Sequence, residues 1–158
     1  MDKQLVTSYQ KHADSSTLNP QDLELLQEAR KALSKSYAPY SKFYVSAAVR
    51  TEHGIFIGAN QENASYPLCM CAERVALYNY AMQDLDGPAL ALAIIVHNPE
   101  QPVLVPATPC GACRQVILEY ELRQKKGIKI LLQADTEEVW EFSTIKSILP
   151  LYFDPEVL

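Results

Sequence analysis

Three short segments of this chain bring together the residue types of a zinc-assisted hydrolytic site. Cys71-Ala72-Glu73-Arg74 sets a carboxylate two residues after a thiol, and Pro109-Cys110 with Cys113-Arg114 gives a Cys-x-x-Cys pair opened by proline. Zinc in a catalytic site takes three protein ligands and keeps a fourth tetrahedral position for water. Cys71, Cys110 and Cys113 are the expected ligands. Glu73 is the expected proton carrier, because a carboxylate beside the metal but not on it can serve a reacting group as both base and acid. Three thiolates on a divalent ion leave about one negative charge, which weakens it as a Lewis acid. Arg74 is the expected counter-charge, with several N–H donors able to reach thiolate sulfurs.

Each motif alone has a plainer reading. A single Cys-x-x-Cys in an intracellular protein is often a redox pair or half of a structural zinc site, and Cys-x-Glu alone carries almost no information. Together, with proline before the second motif and helical patterns after both, they point to catalysis. Cys69 offers a rival ligand and the fourth thiol that a closed, purely structural site would need. Only Cys71 has a glutamate two residues on, so Cys69 is assigned to packing. His12, His53 and His97 lie outside the motifs, and His97 reads as a local hydrogen-bonding residue at a strand end.

The elements that must position these residues follow from pattern. Residues 1–19 are polar and aperiodic, with Leu5, Val6, Tyr9 and Leu18 as possible anchors, and read as an extension draped on the domain of residues 20–158. Asn19-Pro20-Gln21-Asp22 has a cap, a first-position proline and a first-turn acid, which predicts a helix with Leu23, Leu26, Ala29 or Arg30 and Leu33 on its apolar face, ending before Pro39. Phe43–Val49 and Ile55–Ile57, joined by Glu52-His53-Gly54, predict a hairpin. A helix is expected from Cys71 to about Met82, broken by Asp86-Gly87-Pro88. Leu90–Val96 reads as a buried central strand. A helix over 109–126, strands over 128–132 and 138–142, and a short helix over 143–149 complete the chain. Both cysteine motifs therefore fall at helix starts, where unpaired N–H groups and roughly +0.5 charge favour thiolates. The order predicts an α/β fold with a three-layer α-β-α arrangement around a central mixed five-stranded sheet.

Composition narrows the partners. A chain of 158 residues with 48% hydrophobic content is expected to form one cored domain. The net charge of −5 argues against nucleic acid, which needs clustered Lys and Arg. The run Arg123-Gln124-Lys125-Lys126 reads as a solvated helix end. No apolar stretch approaches the roughly 20 residues of a membrane span, and Met1-Asp2-Lys3-Gln4 leads into no signal-peptide pattern. With four cysteines favouring thiols or metal over disulfides, a cytoplasmic location is expected.

The three-thiol, one-glutamate arrangement is that of zinc deaminases, and the chain resembles the small homotetrameric class of cytidine deaminases. The matching segments are Tyr40-Ser41-Lys42-Phe43, the run from Gly58 to Pro67, Cys71-Ala72-Glu73-Arg74, the run from Pro109 to Gln115, and Leu149-Pro150 with Phe153. The resemblance implies one zinc per chain and deamination of cytidine and 2′-deoxycytidine in pyrimidine salvage. It implies that Asn60 and Glu62 bind the ribose, that Phe43 walls the nucleoside pocket, and that Ala72 and Glu73 read the base edge. The Thr108 carbonyl is expected near the departing amine. Phe153 and Tyr66 match aromatics that reach a neighbouring subunit's site, which implies a homotetramer with shared sites. Ser46 stands where the family often has glycine, Cys69 where a small residue is usual, and residues 1–19 exceed the usual length. A relative acting on a modified nucleoside is the nearest competing enzyme, and a polynucleotide-editing deaminase is disfavoured by the acidic balance.

Overall fold

Asn19 opens the first helix as its sequence predicts: its side-chain oxygen accepts the Asp22 amide and Pro20 takes the first position. The computed structural model describes residues 2–83 and 87–157. Met1, Asp86 of the expected helix breaker, and Leu158 at the end of the expected domain lie outside the described residues. In chain order the elements are β1 (Gln10–His12), α1 (Pro20–Ala32), β2 (Tyr44–Arg50), β3 (Ile55–Ala59), α2 (Ala72–Gln83), β4 (Ala91–His97), α3 (Gly111–Gln124), β5 (Lys129–Gln133) and β6 (Val139–Phe142).

The strands form one mixed sheet in the order β1-β6-β5-β4-β2-β3, in which β4 and β5 are the parallel pair. Side chains alternate across it, as the strand period requires. Ala47, Val49, Leu92, Ile94, Ile130 and Leu132 pack with Ala76, Leu77, Ile117 and Leu118 of α2 and α3. Ala48, Ala93, Ile95 and Leu131 pack with Leu25, Leu26 and Ala29 of α1 on the other face. The three-layer arrangement is as predicted, but the sheet has six strands, not five.

The sixth strand comes from the N-terminal extension. β1 pairs antiparallel with β6 at the sheet edge. Tyr9 stacks on Phe142 and lies against Trp140, and Leu18 is buried against α1, whereas Leu5 and Val6 stay exposed. The face of α1 is also rotated from expectation. Leu25 is fully buried, while Leu23 and Leu33 are only half-buried. Asp22 shares the buried face and is held by Lys129 and Asn19, each at 2.6 Å.

Two small residues set how closely the layers approach. Ser46, fully buried, donates its hydroxyl to the Ala29 carbonyl of α1 at 2.6 Å, so the buried hydroxyl is satisfied. Gly58 lies against α2 so tightly that a β-carbon would sit 2.2 Å from the Ala76 nitrogen.

The expected C-terminal helix over 143–149 is a single 3-10 turn, Ile145–Ile148, capped by the Thr144 side chain. Pro150 holds Leu149 out of helical geometry, which limits the length. Glu121 of α3, almost fully buried, ties this turn down: its carboxylate accepts from the Ile128 and Ile145 amides and the Thr144 hydroxyl. No helix among the described residues is long and apolar enough to cross a membrane.

Candidate active site

Two helix N-termini meet at the cysteines. Cys71 immediately precedes α2, Cys110 is the N-cap of α3, and Cys113 lies in the first turn of α3. Their three sulfurs lie within 4.8 Å of one another, with Cys71 and Cys110 3.9 Å apart and Cys110 and Cys113 3.5 Å apart. Tetrahedral zinc with Zn–S bonds of about 2.3 Å would hold sulfurs about 3.8 Å apart. The three sulfurs fit one such ion. The hydrogen bond from Cys113 lowers the Cys71 thiol to about 5, against the effect of burial and with help from Arg74. The same bond, with burial, pushes Cys113 upward. The Cys69 sulfur is outside this trio; it caps the Asn63 turn, accepting from the Asn63 amide at 3.2 Å.

Arg74 lies in the first turn of α2 and points an Nη at the Cys71 sulfur, 3.8 Å away, while its Nε is buried without a partner. Glu73, on the neighbouring side of the helix, is 5% exposed. Burial pushes its carboxyl above the usual carboxylate range, and the charge of Cys71 adds to the effect. A carboxyl raised in this way exchanges its proton closer to neutral pH, as a group that is base and then acid requires.

Cys71, Cys110 and Glu73 open onto a cavity of about 270 Å³, whose wall also carries Phe43, Asn60, Glu62, Cys69 and Thr108. Asn60 extends the β2–β3 hairpin by mimicking backbone. Its side-chain oxygen accepts from the Val45 amide and its nitrogen donates to the Phe43 carbonyl, both at 2.9 Å. This leaves one amide proton and one lone pair for a ligand. Glu62 is similarly engaged: it accepts from the Tyr40 amide, the Ser41 amide and the Ser41 hydroxyl. These bonds hold its carboxyl below the usual range despite the opposing effect of burial. They also secure the turn in which Lys42 adopts φ 56°, a backbone state costly for a residue with a β-carbon.

Not every expected site residue lies on this wall. Ala72 is fully buried at the start of α2, behind the cavity surface. Phe153 is 59% exposed and does not reach its own chain's cavity; its carbonyl accepts from Gln115. Tyr66 is also exposed and meets Tyr40 edge-on. His97 pairs with Asp135 at 2.6 Å, in keeping with a local role. Sequence reasoning named neither the grip of Ser41 on Glu62 nor the apolar lining by Val45, Met70, Ile94, Val96 and Ala107. Alternation along β2 and β4 carries that signal: Val45, Ile94 and Val96 fall on the face that also packs α2 and α3.

Comparison with known proteins agrees with this geometry. Residues 19–126 match the family model described as the cytidine and deoxycytidylate deaminase zinc-binding region. The chain belongs to that zinc-binding deaminase family. It is an enzyme of the cytidine deaminase class. It is 40% identical over 136 residues to a cytidine deaminase of Sporosarcina psychrophila, covering 85% of this chain and 93% of that one. A Halalkalibacterium halodurans cytidine deaminase is 39% identical, with 84% and 93% covered. The crystal structure of a Burkholderia pseudomallei cytidine deaminase superposes with a TM-score of 0.73 at 36% identity, covering 86% of this chain and all of the other.

Proposed function

We propose that this enzyme hydrolyses cytidine and 2′-deoxycytidine to uridine and 2′-deoxyuridine with release of ammonia. It would use one zinc per chain and serve pyrimidine salvage in the cytoplasm. The observation that carries the reading is a buried Glu73 beside three clustered sulfurs on the wall of a cavity that also holds Asn60 and Glu62. The cavity, about 270 Å³, suits a small molecule and not a polymer. Its wall includes two carboxylates and, among the described residues, no Lys or Arg. A carboxylate and an amide on that wall suit the hydroxyls of a sugar, in keeping with a nucleoside.

Cys71, Cys110 and Cys113 would hold the metal in this reading, and zinc there would supply a water whose pKa is lowered to about 7. Glu73 would accept a proton from the attacking water as the C4–O bond forms and deliver that proton to ring N3. It would then take the proton left on the new C4 hydroxyl and pass it to the 4-amino nitrogen, so that the C4–N bond breaks with loss of ammonia as the C4 carbonyl forms. Arg74 offsets the thiolate charge, the Thr108 carbonyl faces the base edge with Ala72 buried behind the wall, Phe43 walls the ring, and Asn60 and Glu62 take sugar hydroxyls with their remaining valences. An ultraviolet assay with cytidine, deoxycytidine, dCMP and adenosine side by side tests the assignment. Turnover of both nucleosides is expected; turnover of dCMP alone would overturn it.

Phe153 and Tyr66 complete the proposal as residues lent to a neighbouring subunit of a homotetramer, in keeping with their exposure. Phe153→Ala should raise KM for cytidine about ten- to a hundredfold, the worth of an aromatic stacked on a base, without loss of zinc. Mixed tetramers of Glu73→Gln and Phe153→Ala chains should regain activity where an intact Glu73 meets a neighbour's intact Phe153. No rescue in verified mixed tetramers would place both residues in the same chain's pocket.

A further inference from the structure

The loop from β4 to α3 brings Thr108 to the cavity wall, yet it contains no regular structure of its own between His97 and Gly111. Its middle is pinned by Asp135, which pairs with Val103 through backbone and side chain. Beyond that point, among the described residues, every hydrogen bond reaching residues 104–109 comes from Arg114. The Arg114 Nε donates to the Pro109 carbonyl at 2.7 Å, and one Nη donates to the Thr108 hydroxyl at 2.8 Å. The other Nη donates to the Ile148 carbonyl in the C-terminal turn at 2.5 Å. Leu104 and Val105 are exposed, so packing does little to fix this stretch.

We propose that Arg114 is a positioning residue: its guanidinium fork fixes Thr108-Pro109 at the cavity and joins that loop to the turn Ile145–Ile148. The function of the tether rests on the deaminase reading above; its existence does not. A planar guanidinium sends donors in fixed directions and can reach two backbone carbonyls and a hydroxyl at once, which a lysine ammonium on a flexible stem cannot reproduce. Cys110 is held differently. Its carbonyl accepts from the Arg114 backbone amide, a bond that any residue at 114 except proline keeps. Loss of the side chain therefore frees Thr108 while leaving the metal ligand on its helix. The shared partner Ile148 also makes loop and C-terminal turn one unit. Gln115, the next residue of α3, holds the same C-terminal segment at the Phe153 carbonyl.

The test compares Arg114→Ala, Arg114→Lys and Thr108→Val, the last removing only the hydroxyl that receives one Nη. Arg114→Ala should keep about one zinc per chain and lose about 10²-fold in kcat with a smaller change in KM, the size of effect a misplacement of about 1 Å can produce. Arg114→Lys should recover little of this, and Thr108→Val should lose less than either. Added methylguanidinium at low millimolar concentration should restore part of the kcat of Arg114→Ala and leave Glu73→Gln unaffected. Amide exchange across 104–109, followed by mass spectrometry, should quicken in Arg114→Ala; this needs no substrate and stands even if the wild type turns over no cytidine. Unchanged exchange in that peptide would overturn the tether. Full activity in Arg114→Lys would overturn the fork in favour of charge alone. Zinc lost in step with activity would make Arg114 a support of the metal site instead.

Discussion

Glu73→Gln should abolish deamination while the protein keeps its zinc and its fold. Removing a proton-transfer group costs about 10²–10⁴ in rate, and more where one group serves several transfers. The amide keeps the shape of the side chain but acts as neither base nor acid near neutral pH. Stability should not fall, and the direction follows from burial. The carboxyl is pushed above its ordinary range because its charged form is disfavoured there, so a neutral amide removes a desolvation cost. An unchanged or higher Tm, with metal content equal to wild type, is the expected pair of measurements. Near-normal turnover would rule out Glu73 as the proton carrier, and loss of zinc would make it a ligand.

Gly58→Ala should give the largest loss of stability of any single-methyl addition among Gly54, Gly58, Gly111 and Gly127. The new carbon would lie 2.2 Å from the Ala76 nitrogen, 2.6 Å from the Ala72 oxygen and 2.8 Å from the Ala76 Cα. All three are backbone atoms of α2, so no side chain can swing aside and the helix itself must move. Overpacking of this kind costs roughly 1–3 kcal/mol and occasionally more, or several degrees in Tm for a chain of this size. Because α2 begins at Ala72, directly after Cys71, its displacement should lower zinc affinity and activity together. Gly54→Ala is the matched control: a β-carbon there meets nothing within 4 Å. Equal Tm values for the two variants would remove the close-approach argument.

The sulfur cluster was legible in sequence because each of the three cysteines sits at a helix start, and helix starts announce themselves in local chemistry. Asn19-Pro20 did so for α1 as well. The strand from residues 10–12 did not. Gln10, Lys11 and His12 have no apolar alternation, and their pairing partners Glu141, Trp140 and Val139 lie more than a hundred residues away. The rotation of α1 escaped notice because Leu23, Leu25 and Leu26 are equally apolar, and the sheet alone decides which two are covered. Asn60 and Glu62 were found by resemblance, but their grip on Phe43, Val45 and the Tyr40-Ser41 turn is tertiary. Arg114 was visible only as a letter of its motif. Its importance arises where a loop, a helix and a C-terminal turn converge, and no window of sequence contains all three.

The strand that the extension adds also governs what else can pair with this sheet. An open edge is a row of free amides and carbonyls that recruits strands from other molecules. Here Gln10–His12 already occupies that side of β6, and its side chains act as a key. Lys11 meets Glu138 at 2.8 Å and His12 meets Glu141 at 3.0 Å. A foreign strand displacing residues 10–12 would forfeit both contacts unless it carried a cation in place of Lys11 and a hydrogen-bonding side chain in place of His12. The two carboxylates favour the chain's own segment at that side of β6 over one that lacks these partners.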